Sequence, residues 1–413
     1  MIRTSRLASG IRLVTESMPD VCSASLGIWV GTGSRDETEA QAGISHFLEH
    51  LLFKGTEARS ARQIAEAIDA VGGDMNAYTT KEYTTFYIRL LAEDLELGLD
   101  ILSDILIRPA FRPNEVDAER QVILEEVLMH LDEPADIVQE RFAEALFPGH
   151  PLGREVLGLP DVIKSVGVGE IRAFFETHYL PGNMVVAAAG QVDHDEVAAG
   201  ISRRFAGRSG GGPPRRQPPA GALLPRLLEA DETEQAHLVY GVRAPGRRAE
   251  ERFVLAAMNH VLGGGLSSRL FQSVREERGL AYSIGSDRVG YDDAGALAVS
   301  VGTSPENAKE VLSLIDAELD EMAGNGVSRR ELEVAKGNLR ADLLLSLEDS
   351  GARMSRIGAS LLLHGQVLTA EEVMARIESV TLEQVRQVAG RVLTAERALA
   401  VVGPFADEDF ALA

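Results

Sequence analysis

His46 and His50 stand four residues apart within Ile44-Ser45-His46-Phe47-Leu48-Glu49-His50-Leu51-Leu52. Ile44, Leu48, Leu51 and Leu52 recur at helical spacing, which predicts a helix with one buried stripe. Positions i and i+4 project from one helix face a turn apart, so both imidazoles can reach a single zinc ion. Glu49 follows His46 by three positions, and its carboxylate hangs over the same patch. Zinc lowers the pKa of a bound water to about 7, and a nearby carboxylate can accept the proton. Taken alone, the five-residue pattern is also compatible with a surface helix bearing two solvated histidines.

A zinc site needs a third protein ligand, usually supplied from elsewhere in the fold. The segment Glu119-Arg120-Gln121-Val122-Ile123-Leu124-Glu125-Glu126-Val127 can provide it. Glu119 and Glu126 are seven apart and share a helix face two turns apart, with Val122 and Ile123 expected to pack inward beside it. One of these acids can complete a His-His-Glu set while the other orients a histidine. The bland alternative is a solvated acidic helix face.

The rest of the chain must position these groups. Its 413 residues suggest two or three domains. With 45% hydrophobic and 25% charged residues it has ample apolar material for a core. A net charge of -22 argues against nucleic-acid binding. The one cysteine, Cys22, excludes an intrachain disulfide and a multi-cysteine zinc site. No run of about 18 apolar residues predicts a membrane span. The N-terminal residues lack an apolar signal core. A reducing compartment fits this composition; with the resemblance given below, the lack of a transit peptide leads us to expect a bacterial cytoplasm, with a mature mitochondrial matrix protein as the less favoured alternative.

Ser209 to Gly221 is rich in Gly and Pro and reads as a linker. It separates a domain at 1–208 from one at 222–413. The halves echo each other. A helix ending at His178 and a strand from Met184 to Gly190 are matched by a helix from Glu383 to Val392 and a strand from Ala398 to Gly403. Ala24–Val30 and Ala236–Val242 are both alternating strands leading into a helix. The expected fold class is α+β: a duplicated domain with an antiparallel or mixed sheet and helices packed on one face. Two unrelated α+β domains are the alternative. Asp74 to Leu90 reads as a strand pair, and Ala92–Ile107 and Pro113–Phe147 as helices, the latter broken near Pro134.

With these motifs in view, the chain resembles the pitrilysin family of zinc metallopeptidases, whose inverzincin motif is His-x-x-Glu-His. It is most similar to the β subunit of mitochondrial processing peptidase and to bacterial processing-peptidase-like proteins. The resemblance spans essentially the whole chain. It includes a Glu 76 positions after the second His, here Glu126, and another seven before it, here Glu119. It implies that His46, His50 and Glu126 bind one zinc per chain, that Glu49 is the general base, and that Glu119 is an essential acid behind the ligands. Glu125 is the neighbour most easily confused with the ligand.

The resemblance also places an extended substrate beside Gly72-Gly73-Asp74-Met75-Asn76-Ala77-Tyr78-Thr79, with Asn76 and Ala77 on the binding strand. Asp136 and Glu140 match acids that recognise an arginine before the cut; two carboxylates at i and i+4 can hold a guanidinium, or simply be a solvated face. Arg275 and Tyr282, seven apart, match a pair that contacts substrate near the scissile bond and helps stabilise the oxyanion. The preceding Gly263-Gly264-Gly265 lacks the Lys-Ser/Thr of a phosphate loop. The second half has no His-x-x-Glu-His; His260 sits near the equivalent helix without partners. The remaining histidines lack ligand spacing and read as structural or solvated.

The implied activity is that of a zinc endopeptidase cutting short or extended peptides. Such a chain would form half of a clamshell that pairs, as a homodimer or with a related subunit, to enclose a chamber. Arg275 and Tyr282 would then act on the partner's zinc. The competing readings are a non-catalytic assembly subunit and a peptide-binding protein that keeps zinc with negligible turnover.

Overall fold

A computed structural model describes residues 1–410. The chain forms two compact units. One comprises 1–127, 154–217 and 344–369; the other comprises 128–153, 218–343 and the chain from 370 onward.

In the first unit, strands β1 (Ile2–Arg6), β2 (Arg12–Ser17), β3 (Ser23–Val30), β4 (Asp74–Thr79), β5 (Thr84–Leu91) and β6 (Met184–Gly190) form a sheet in the order β1-β2-β6-β3-β5-β4. β2 runs parallel to β6, and the other pairs are antiparallel. In the second unit, β7 (Arg226–Ala230), β8 (Ala236–Ala244), β9 (Ala281–Gly290), β10 (Gly295–Thr303) and β11 (Arg397–Gly403) follow the order β7-β11-β8-β10-β9. Here β7–β11 is the parallel pair and the rest are antiparallel. Without β1, the two sheets share one topology and one set of strand directions. Such agreement is what a duplication leaves and what two unrelated domains would not.

Each sheet buries one face against a main helical layer. In the first unit that core joins Leu26, Ile28, Phe86 and Ile88 of the strands to Phe47, Leu48, Leu102 and Ile105 of the helices. The second core joins Leu238, Val299 and Val401 to Leu255, Met258, Ile315 and Val388.

The other face of each sheet is also apolar and is covered by a single helix drawn from the other half of the chain. Ser350–His364 lays Met354, Ile357 and Leu361 on Val14, Trp29, Val185 and Ala187. Arg353 and Arg356 of this helix both bind the buried Glu16 of β2, at 2.6 and 3.3 Å. Conversely, Pro134–Leu146 lays Ile137, Val138 and Phe142 on Val239, Ala296, Ala398 and Ala400. The compact units therefore differ from the contiguous stretches 1–208 and 222–413. The chain does pass between units within Ser209–Gly221, but it also does so on either side of each exchanged segment. The physical reason is the strands themselves: β6 reads Met-Val-Val-Ala-Ala-Ala-Gly and is buried at every position, so both its faces demand cover.

Candidate metal centre and active site

The helix Ile44–Leu52 begins at Gly43, whose φ of 98° is left-handed. A Cβ there would lie 2.7 Å from the Leu157 carbonyl oxygen and 2.6 Å from Ile163, so the position admits only glycine. The first turn is held by a residue of the loop just before it. Glu37 is buried, and its carboxylate accepts the Gly43 and Ser45 N–H groups at 2.8 and 2.7 Å. An acid at this end satisfies orphan donors and complements the helix dipole. Ile44, Phe47, Leu48, Leu51 and Leu52 are buried, which fixes the rotation of the helix and turns His46, Glu49 and His50 to one side.

The second element is the helix Pro113–Leu131, broken from the next by Pro134 as its sequence implied. Its buried stripe is Val116, Glu119, Ile123 and Val127. Val122 is half-exposed, contrary to the inward packing expected of it. On a helix it sits about 100° round from Ile123, and the stripe passes through Ile123. This rotation buries Glu119, half-buries Glu126 and leaves Glu125 in solvent.

His46, His50 and Glu126 each offer a ligand atom within 4.8 Å of the other two. Glu126 Oε2 lies 3.7 Å from His46 Nε2 and 3.5 Å from His50 Nε2. The rings of His46 and His50 meet edge to face at 4.6 Å. Behind them, His50 Nδ1 donates to Glu119 Oε1 at 2.8 Å, which leaves the Nε2 lone pair facing Glu126. The other oxygen of Glu119 is paired with the Lys54 ammonium.

Burial, then the neighbouring His50, pushes the His46 imidazole down to about 4, so it stays neutral with a free lone pair. For His50, burial pulls the same way, but the hydrogen bond to Glu119 and the charges of Glu126, Glu119 and Glu49 outweigh it and raise its pKa. Burial pulls Glu119 upward; its bonds with His50 and Lys54 overcome this and lower it.

Glu49 is itself raised, chiefly by burial and against a hydrogen bond from Thr79. Thr79 Oγ1 donates to Glu49 Oε2 at 2.6 Å. Thr79 closes β4, the edge strand of the first sheet, which also carries Asn76 and Ala77. Asn76 Oδ1 accepts the Ala77 N–H at 2.8 Å.

The other residues singled out by resemblance belong to the second unit. Arg275 stacks between Phe271 and Tyr282, its guanidinium 4.7 Å from each ring centre, and Tyr282 is 81% exposed at the start of the edge strand β9. Asp136 and Glu140 face one histidine: His130 Nδ1 lies 3.8 Å from Asp136 and His130 Nε2 lies 3.5 Å from Glu140. His130 therefore has a specific setting that its spacing did not reveal. Among the other histidines, His194 is structural, bonded to Thr15 and Ser5 at 2.8 and 3.0 Å. His260 is buried in the helix Arg252–Gly263.

The sequence reading gave no role to Thr79, Lys54 or Glu37. Thr79 belongs to the strand segment 72–79, but nothing in its spacing ties it to Glu49. Lys54 follows His50 by four positions, a spacing that could have pointed to it, whereas Glu37 acts from a loop that no periodicity encodes.

The family model described as insulinase, peptidase family M16, matches residues 12–159, and the one described as peptidase M16 inactive domain matches 165–339. Over an alignment 419 positions long, gaps included, the chain is 44% identical to a protein of Streptomyces coelicolor named as an uncharacterized zinc protease, covering 98% of this chain and 90% of the relative.

The chain belongs to peptidase family M16.

A second M16 relative, from Bacillus subtilis and also named as a zinc protease, is 37% identical and covered over 98% of both chains. The same fold occurs in two crystal structures, each 21% identical. One is described as a peptidase M16 inactive domain from Pseudomonas fluorescens, with a TM-score of 0.91 over 98% of both chains. The other is a protease from Helicobacter pylori, with a TM-score of 0.89 over 97% of this chain and 99% of that one. The match to the inactive-domain model falls on residues that contain no His-x-x-Glu-His, whereas His46, Glu49, His50 and Glu126 lie in the match to the peptidase model. No helix among the described residues is long and apolar enough to cross a membrane.

Proposed function

We propose that this M16 chain is a zinc-dependent endopeptidase that cuts short or extended peptides by attack of water on the scissile carbonyl. The observation that carries the reading is the convergence of His46, His50 and Glu126 beside the carboxylate of Glu49. Two imidazoles and one carboxylate are a donor set that suits zinc at a catalytic centre, where a fourth position stays open. The names of the bacterial relatives support the same metal.

His46, His50 and Glu126 would hold the ion, and Glu119 keeps His50 in the tautomer that presents Nε2. Bound zinc would supply Lewis acidity, making water nucleophilic near neutral pH. Glu49 takes the proton of the attacking water and returns it to the leaving amine. Its raised pKa brings it closer to neutrality, where a base can both accept and release. An extended peptide adds as a strand beside β4 at Asn76 and Ala77, a mode that reads main chain more than side chain. Arg275, half-buried, and Tyr282, exposed, serve as donors to substrate, and in a dimer of such chains they act on the substrate of the partner. Asp136 and Glu140 give a preference for a basic residue on the amino side of the cut. The dimer encloses a chamber that admits extended chains and excludes folded ones.

The test is Glu49→Gln. The variant should retain one zinc per chain and lose cleavage of an unfolded peptide. Cleavage at the wild-type rate would overturn the mechanism. Digestion of a peptide library with and without chelator gives the site preference.

A further inference from the structure

We infer that Thr79 is a positioning residue for Glu49, and that through it the end of the edge strand β4 sets the carboxylate that moves the proton. This inference rests on the peptidase reading above and adds a residue to it.

Thr79 Oγ1 lies 2.6 Å from Glu49 Oε2 and 3.4 Å from Thr84 Oγ1. Each hydroxyl has a single proton to give. Thr84 spends its proton on the Thr32 carbonyl oxygen at 3.1 Å. Thr84 is fully buried on β5, opposite Thr79 in the strand register, so this arrangement is fixed by the sheet. Thr84 can therefore only accept from Thr79, and a carboxylate at 2.6 Å is the stronger and nearer acceptor. The Thr79 proton goes to Glu49.

Two consequences follow. A carboxylate engaged at Oε2 by the Thr79 hydroxyl, and also by the Thr79 main chain, cannot rotate freely. A β-branched side chain in a strand is stiff at χ1, so the donor is itself held in place. Thr79 also ends the strand that bears Asn76 and Ala77. A peptide pairing with that strand would tighten the element that aims the base. Binding and proton transfer are thus joined through Thr79, whose hydroxyl makes the 2.6 Å bond to the base.

The experiment uses the full chain with Thr79→Val and Thr79→Ser. Valine keeps the shape and the β-branch and removes the donor; serine keeps the donor. Metal content, peptide cleavage kinetics and a crystal structure of the valine variant are measured. The expected result for Thr79→Val is an unchanged zinc content, a KM close to wild type and a kcat lower by about 10- to 100-fold, the scale of a misaimed catalytic group. Thr79→Ser should restore most of kcat. In the valine variant the Glu49 carboxylate should be turned from its wild-type orientation.

An unchanged kcat in Thr79→Val overturns the proposal, as does a loss that serine fails to rescue. A rise in KM at constant kcat also overturns it, because it would assign Thr79 to substrate binding alone. If Thr79→Val does not fold, Thr79→Ala replaces it with the same expectations. If the wild type itself cleaves no peptide, the peptidase reading fails separately. The orientation of Glu49 in the variant structure then still decides whether Thr79 positions it.

Discussion

Glu119 holds His50 from behind, its Oε1 receiving the Nδ1 proton at 2.8 Å while its Oε2 receives the Lys54 ammonium. One carboxylate thus fixes the tautomer of a proposed zinc ligand and is itself kept ionised by His50 and Lys54. Glu119→Gln keeps the shape and removes the charge. Loss of such a supporting acid typically weakens metal binding by about 10- to 100-fold. Titration against a chelator of known affinity should show a drop of that order, with the fold intact by circular dichroism. Lys54→Met should act in the same direction and more weakly. Wild-type affinity in Glu119→Gln would remove this residue from the site.

Glu125 and Glu126 are adjacent, and only one turns toward the histidines. Glu126 is half-buried with Oε2 within 3.7 Å of both Nε2 atoms, whereas Glu125 points to solvent. Glu126→Gln should therefore lose stoichiometric zinc and peptide cleavage, and Glu125→Gln should keep both. Metal analysis of the two purified variants after dialysis decides it. A reversal of the two outcomes would mean that the helix Pro113–Leu131 is rotated by one residue.

Much of this was legible because local spacing on a helix is rigid. The four-residue step from His46 to His50 and the seven-residue step from Glu119 to Glu126 each specify a face. The Gly and Pro clusters marked the turns, and the alternation in Ala24–Val30 marked a strand now seen from Ser23 to Val30. Three features were not legible. The exchange of Pro134–Leu146 and Ser350–His364 depends on which apolar sheet face each helix covers, and an apolar stripe does not name its partner. Val122 was misplaced because a helix face is defined by packing, and Ile123, one residue away, met the core. Thr79 and Glu37 reach the site from a strand end and a loop, where no period links them to the residues they bind.

Glu37 predicts a pH dependence. Burial, against the Gly43 and Ser45 donors and the Arg154 charge, pushes its carboxyl up to about 7, well above the usual carboxylate range. A carboxyl with a raised folded-state pKa binds its proton more tightly in the folded chain. Its contribution to stability is complete below about pH 4.5 and is lost as pH rises through 7. The difference is on the order of 3 kcal/mol from the size of the shift. Glu37→Gln keeps the size and removes the titration; it retains one of the two acceptors, so the pH slope is compared and not the absolute stability. Between pH 5 and 8, wild-type stability should fall relative to that of Glu37→Gln, as read from denaturant midpoints at each pH. Parallel curves would show that Glu37 is ionised in the fold at all these values.

Two glycines test the exchanged helix. Gly358, in Ser350–His364, faces Trp29: a Cβ there would lie 2.4 Å from the indole Cζ3, and the indole is only 1% exposed and has nowhere to move. Gly337, in the helix Arg329–Ser346, has nothing within 4 Å of its Cβ position. Alanine favours a helix over glycine by about 1 kcal/mol at either site. At Gly337 that gain is unopposed, so Gly337→Ala should stabilise. At Gly358 the overpacking costs about 1–3 kcal/mol and outweighs it. Denaturation followed by circular dichroism, with Trp29 fluorescence as a local reporter for Gly358→Ala, should show opposite signs. Stabilisation by both substitutions would mean that Ser350–His364 does not lie against Trp29, and the outer face of the first sheet would need another cover.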